Sequence, residues 1–186
     1  MPPRNISRRG AGPIGEAGDV MDNLKRLTSE GVGKAMRKAE RYRLLGEPCE
    51  AESICVDVLE VTPENHNAQV LLILSITDQF RTDPSRAAEA ARLAAELETE
   101  YERFYYSGIV AERLGKSQLA RGGPCSDDYA NRALHQAMAW YDKAEAIRPT
   151  GDDDAILRWN TCARTIARRG FDVPFDTSNP TVLMTE

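Results

Sequence analysis

The residues whose types could do chemistry are few in this 186-residue chain, and their spacing limits what they can do. Cys49, Cys55, Cys125 and Cys162 offer four thiols, but none forms a Cys-x-x-Cys pair, and only His66 and His135 could help complete a metal site. They read as buried thiols acting as small apolar side chains in a reducing, cytoplasmic setting. Asp152-Asp153-Asp154 lacks the further oxygen ligands that calcium or magnesium needs, and after Gly151 it reads as negative charge at the start of a helix. His135 has no nucleophile at a fixed spacing and reads as a surface histidine, while His66 falls in a turn before a helix. There is no glycine-rich phosphate loop, nucleophile elbow or His-Glu zinc motif. The expectation is a non-catalytic protein without cofactor or metal.

One segment, Arg158 to Arg164, has two readings. In the first, Trp159 and Cys162 seal the end of a helical array while the arginines stay in water. In the second, Arg158, Asn160 and Arg164 form an anion-recognising patch, and the chain is an enzyme or regulatory subunit with a small-ligand site near its C-terminal helix.

The elements that must position these residues are helices. Composition is 41% hydrophobic and 28% charged, the range of an ordinary globular domain. The longest apolar stretch, Val70 to Leu74, is far short of a membrane span. Net charge is −5, which leaves no broad basic surface for nucleic acid, although Met1 to Arg41 carries +4 against −9 for the remainder.

Met1 to about Gly18 is rich in Pro, Gly and Arg and reads as a flexible tail without the apolar core of a secretory signal. Val20, Leu24 and Leu27 predict a short helix to about Glu30, interrupted by Gly31 and Gly33. Ala35, Met36, Ala39, Tyr42 and Leu45 predict the next, closed by Gly46, with Pro48 opening a third. The β-branched Ile54, Val56, Val58 and Val61 hint at a strand, but Cys55 and Leu59 break the alternation, so a helix is expected up to Pro63.

Asn65 caps a helix to about Phe80, and Asp83-Pro84 opens an alanine-rich one over Ala87 to Leu97. Another is expected from Tyr101 to about Leu119, ending before Gly122-Gly123-Pro124. Ser126 then caps one to about Ile147, and a last runs from about Asp152 to Arg169. Residues 19–170 would form one all-α domain, with 171–186 as a second flexible tail.

Tyr42, Gly46, Ala51, Cys55, Val58, Leu59 and Pro63 resemble the tetratricopeptide (TPR) pattern of aromatic, turn glycine, small packing residues and closing proline in ~34 residues. Phe104, Gly108, Leu114 and Gly115 resemble the first helix of another unit, and Ala137, Tyr141, Ala144 and Pro149 its second. Between Gly115 and Ala137 lie ~17 extra residues, read as helix extensions from about Lys116 to Arg132 around the glycine loop. A degenerate middle unit spans His66 to about Glu100, with Ala68 and Leu72 in place, Ile76 for the aromatic and Thr99 for the proline.

The resemblance implies a right-handed solenoid of helical hairpins over about Gly31 to Pro149, capped by the helix from Asp152 to Arg169, with Gly46 and Gly115 at equivalent bends. The segment Arg158 to Arg164, with the preceding Glu145 to Pro149, also resembles the ends of bacterial TPR proteins.

In that family the inner helices line a concave groove that holds a peptide or helix. The implied groove residues are Met36, Glu40 and Arg43, then Asn67, Val70, Leu74 and Thr77, then Glu102, Tyr105, Ile109 and Glu112. Met36 and Glu40 stand where the carboxylate-clamping members carry Lys and Asn, so that ligand class is not implied. An amphipathic or extended apolar segment of a protein partner suits the groove better. The implied function is an adaptor, a scaffold or a chaperone of secreted proteins, monomeric or paired through the solenoid end.

Overall fold

The structure is a computed structural model that describes residues 23–171. The expected tail 1–18, the start of the first expected helix at Val20 and all of 171–186 except Phe171 lie outside the described residues. Among the described residues there are seven α-helices and no strand: α1 (Val32–Leu44), α2 (Pro48–Val61), α3 (His66–Asp78), α4 (Ala87–Ala95), α5 (Glu100–Arg121), α6 (Ser126–Ala146) and α7 (Asp154–Arg169). Single 3-10 turns precede α1 at Ser29–Gly31 and α4 at Pro84–Arg86.

The punctuation works largely as the residues dictate. Gly46 turns the chain at φ 79° and Pro48 is the first residue of α2. The Asn65 side chain accepts the Ala68 amide, and Asp83 accepts the Ser85 amide beside Pro84. Thr99, standing where the repeat pattern has proline, is instead the N-cap of α5. Its hydroxyl oxygen accepts the Glu102 amide at 3.2 Å and donates to the Glu102 carboxylate at 2.7 Å, a reciprocal cap. The segment with strand-like Ile54, Val56 and Val58 is helical, burying Ala51, Cys55 and Val58 on one face.

Three expectations fail locally. Leu24 and Leu27 lie on no helix; helical structure begins at the 3-10 turn Ser29–Gly31, which leads straight into α1. Ser126 does not cap α6: Cys125, in the left-handed conformation at φ 61°, occupies the N-cap position with no side-chain bond. Gly115 is not at a bend. It sits buried within α5, where an added Cβ would meet the Ala130 carbonyl oxygen and the Ala133 Cβ at 3.2 Å. The turn of that hairpin lies instead at Gly122 and Gly123, φ 66° and 113°, because both helices are extended.

Each helix packs against the next along the chain, and α1, α3 and α5 also touch in that order. Side-chain pairs fix their direction. His66 at the start of α3 meets Glu102 in the first turn of α5 at 2.8 Å, and Asp78 at the end of α3 meets Arg113 further along α5 at 2.6 Å. The two helices therefore run parallel. Arg43 near the end of α1 reaches the same Asp78 at 2.6 Å, and Arg158 in the second turn of α7 interacts with Tyr105 in the second turn of α5.

On the other side, Arg86 grips Glu52 of α2 with two bonds of 2.7 Å, and this holds the Glu52 carboxyl below the usual range. One core gathers α1 to α4 around Ile73, Ile76 and Phe80. A second gathers α5 to α7 around Leu134, Tyr141 and Cys162, with Tyr106 against both.

Small residues set how closely the helices of α5 and α6 approach. A Cβ on Gly108 would lie 2.4 Å from Tyr141 Cε1, inside any permitted contact. Gly108→Ala is expected to cost about 1–3 kcal/mol by overpacking despite alanine's better helix propensity. Gly33→Ala, in the open first turn of α1, should be neutral or stabilising by up to about 1 kcal/mol. Urea unfolding of the two variants checks the contrast.

Candidate partner-binding site

The implied groove residues divide by burial. Met36, Thr77, Ile109 and Glu112 are core residues, the last with no exposure at all, so none is presented to a ligand. Glu40 and Asn67 are exposed, while Val70, Leu74 and Tyr105 are half-buried. Arg43 is ion-paired with Asp78, and Glu102 with His66. The surface left on α1, α3, α5 and α7 is thus a narrow strip in which Val70, Leu74, Tyr105 and Tyr106 are flanked by charge. Tyr105 and Tyr106 meet edge to face at 5.1 Å, and Tyr101 stacks on Tyr105 at 5.9 Å.

Sequence reasoning missed the charged end of this strip. The Arg113 guanidinium donates to Asp78 Oδ1 at 2.6 Å, to Thr77 Oγ1 at 2.6 Å and to the Leu74 carbonyl at 3.0 Å, tying α5 to the last turn of α3. Asp78 thereby serves two guanidiniums, from α1 and α5. Burial draws Arg113 below its ordinary value, and the neighbouring charges of Arg43 and Arg158 add to that against the pull of Asp78. The signal was present: Arg113 and Lys116 continue the Tyr105, Ile109 stripe at the next helical steps.

Glu112 lies directly beneath. It accepts from the Tyr141 hydroxyl at 2.6 Å and from Lys116 Nζ, and Arg158 Nη1 lies 3.3 Å away. Burial together with the Glu112 charge keeps the Tyr141 phenol protonated far above its usual range. The two Arg158 readings both change. Arg158 is part-exposed and turns inward, with Nη1 3.3 Å from Glu112, rather than standing free in water. Asn160 and Arg164 point elsewhere, since two and six residues along a helix are rotations of about 200° and about 240° from Arg158. Arg164 is exposed, Cys162 is buried in the second core and Trp159 packs against it.

The other candidates for chemistry are structural. Asp152 Oδ1 accepts the Asp154 amide at the start of α7. His135 is half-buried rather than on the surface, and burial lowers its pKa. Among the described residues, no cluster of His, Cys, Asp and Glu could hold a metal, and no helix is long and apolar enough to cross a membrane. A cavity of about 180 Å³ opens between α2, α3 and α4, lined by Leu59, Leu72, Ile73, Leu93 and Leu97, away from the strip. No family model matches the chain, and neither a curated protein nor a solved structure is similar to it.

The cysteines split into two classes. Cys55 and Cys162 are fully buried and burial pushes both thiols up to about 12, whereas Cys49 and Cys125 are exposed rather than buried as the sequence implied. Iodoacetamide at pH 7.5 should modify Cys49 and Cys125 of the native chain, with Cys55 and Cys162 reacting only after denaturation; peptide mass mapping reads this directly. Tyr141→Phe, which removes one donor from a buried carboxylate at almost constant volume, should cost about 1–3 kcal/mol in urea unfolding.

Proposed function

We propose that this chain is a non-catalytic, TPR-like adaptor that holds a segment of another protein along the strip over α1, α3, α5 and α7. The observation that carries this reading is the strip itself: parallel helices joined through Arg43–Asp78–Arg113, with half-buried tyrosines and leucine beside arginines. Tyrosine and arginine in a partly desolvated setting are the side chains that most often dominate protein–protein binding.

The parallel first helices, and the hairpin returns between them, support a stacked-hairpin solenoid with α7 as its cap. The equivalence of Gly46 and Gly115 does not support it. Its place is taken by the contact of Gly108 on Tyr141, which unites residues of the two helices of the third unit. Extension of both helices then moves the bend to Gly122. The inward turn of Arg158 to Glu112, with Asn160 and Arg164 off its face, supports protein binding over the competing small-anion site. A cytoplasmic adaptor or a chaperone-like scaffold would both use such a face.

The test is capture from the native cell with Tyr105→Ala beside the unaltered chain. The variant should keep its helical circular dichroism and lose at least tenfold of the specifically captured partner. Retention of every partner by a folded Tyr105→Ala chain removes the strip as the binding face.

A further inference from the structure

The cavity between α2, α3 and α4 lies where α4 stops. That helix has 9 residues beside the 14 of α2 and the 13 of α3, and the gap at its last turn faces the first half of α3 and the end of α2. The walls are aliphatic: Leu72, Ile73 and Leu97 are buried, and Leu59 and Leu93 are half-buried. Both ends of α4 are held, so the walls do not close on one another. Ahead of it Arg86 grips Glu52 of α2 with two bonds of 2.7 Å. Behind it the Arg103 guanidinium donates to the Leu97 and Glu98 carbonyl oxygens at 2.9 and 2.8 Å. The cavity is preformed, as small-molecule sites usually are.

The lining selects the class of ligand. Two polar side chains, Gln69 and Glu96, border it, and each is engaged: Gln69 Nε2 donates to the Pro63 carbonyl at 2.9 Å, and Glu96 accepts from Arg92 at 2.7 Å. The amides of Glu96 and Leu97 at the end of α4 donate to the carbonyls of Leu93 and Ala94. A water held inside needs about two to four polar partners, and a charged group needs an opposite charge. Five aliphatic walls offer neither. An apolar cavity of about 150 Å³ suffices for benzene, and this one measures about 180 Å³.

We infer that this cavity is a binding site for a small uncharged apolar molecule, a single aromatic ring or a branched hydrocarbon of similar size. The site stands apart from the strip over α1, α3, α5 and α7 and does not depend on the reading of that strip. Its occupant touches Leu59 of α2, Leu72 and Ile73 of α3 and Leu93 of α4 together, so the dispersion contacts it makes tie the end of α4 to its neighbours.

Thermal unfolding of the full chain in millimolar benzene or toluene tests this, with benzoate as the charged control. Each hydrocarbon should raise Tm by about 2 °C or more, and benzoate should not. Leu93→Phe, which fills the cavity from a half-buried wall, should abolish the shift. Leu93→Ala, which widens it, should keep the shift whatever its own cost in stability. In methyl NMR spectra of the unaltered chain, the benzene ring current should move the resonances of Leu59, Leu72 and Leu97 and leave Leu157, exposed on α7, in place. These spectra decide the matter even where Leu93→Phe fails to fold. Methyl resonances of the cavity leucines that ignore benzene would overturn the inference. So would a Tm shift of equal size in folded Leu93→Phe, which would put the hydrocarbon elsewhere on the chain. The capture experiment with Tyr105→Ala has no bearing on either result.

Discussion

Glu112 has no exposure to water, and a carboxylate in that position must be answered from inside the protein or not be charged at all. The answer comes from three helices at once: Lys116 one turn along α5, the Tyr141 hydroxyl from α6 and Arg158 from α7. Pulling any of the three helices away strands part of the group, so the network admits one arrangement of α5, α6 and α7. That arrangement is what brings Arg158 beside Tyr105 and runs α7 parallel to α5. The network's worth lies in this selectivity more than in net stability, because burying the charges offsets much of their attraction.

Close approach makes the network possible. Tyr141 can reach Glu112 only because Gly108 leaves room for its ring and Gly115 lets α5 settle on Ala130, Ala133 and Leu134 of α6. Glycine within a helix weakens it by roughly 1 kcal/mol relative to alanine, a cost that the packing recovers here. The first half of the chain solves the same problem differently. Ala39, Ala51 and Ala68 supply the small surfaces, and Arg86 with Glu52 fastens the outer side. The Asp78 carboxylate joins the two halves by serving Arg43 and Arg113 together.

Most helix ends were legible because local chemistry decides them: Gly46 and Gly170 need positive φ, Pro48 suits a first turn, and the Asn65 side chain has an amide to accept. The roles of Gly115 and Arg158 were not legible, since each depends on what another helix brings to it. A glycine inside a helical pattern reads the same whether it bends the chain or admits a neighbour. An arginine beside Trp159 reads as solvated until the buried carboxylate 46 residues earlier is placed within its reach. The same limit explains why Met36, Ile109 and Glu112 were expected to face a ligand. Helical spacing places them on one stripe, and only the crossing of α1, α3 and α5 decides which part of the stripe faces inward.

Net charge conceals the feature that gives the strip its character. A chain of −5 overall concentrates four cations around two carboxylates at the meeting of α1, α3, α5 and α7, and places acid at the other end of the same surface. Such a surface is polar along its length, so a segment held there, on the proposed reading, would be oriented with its acidic side toward Arg113 and its apolar side chains over the tyrosines. Charges this exposed lose much of their pull to salt, whereas the tyrosine contacts do not. Recognition would then divide between a salt-sensitive contribution that chooses direction and an apolar one that supplies most of the grip.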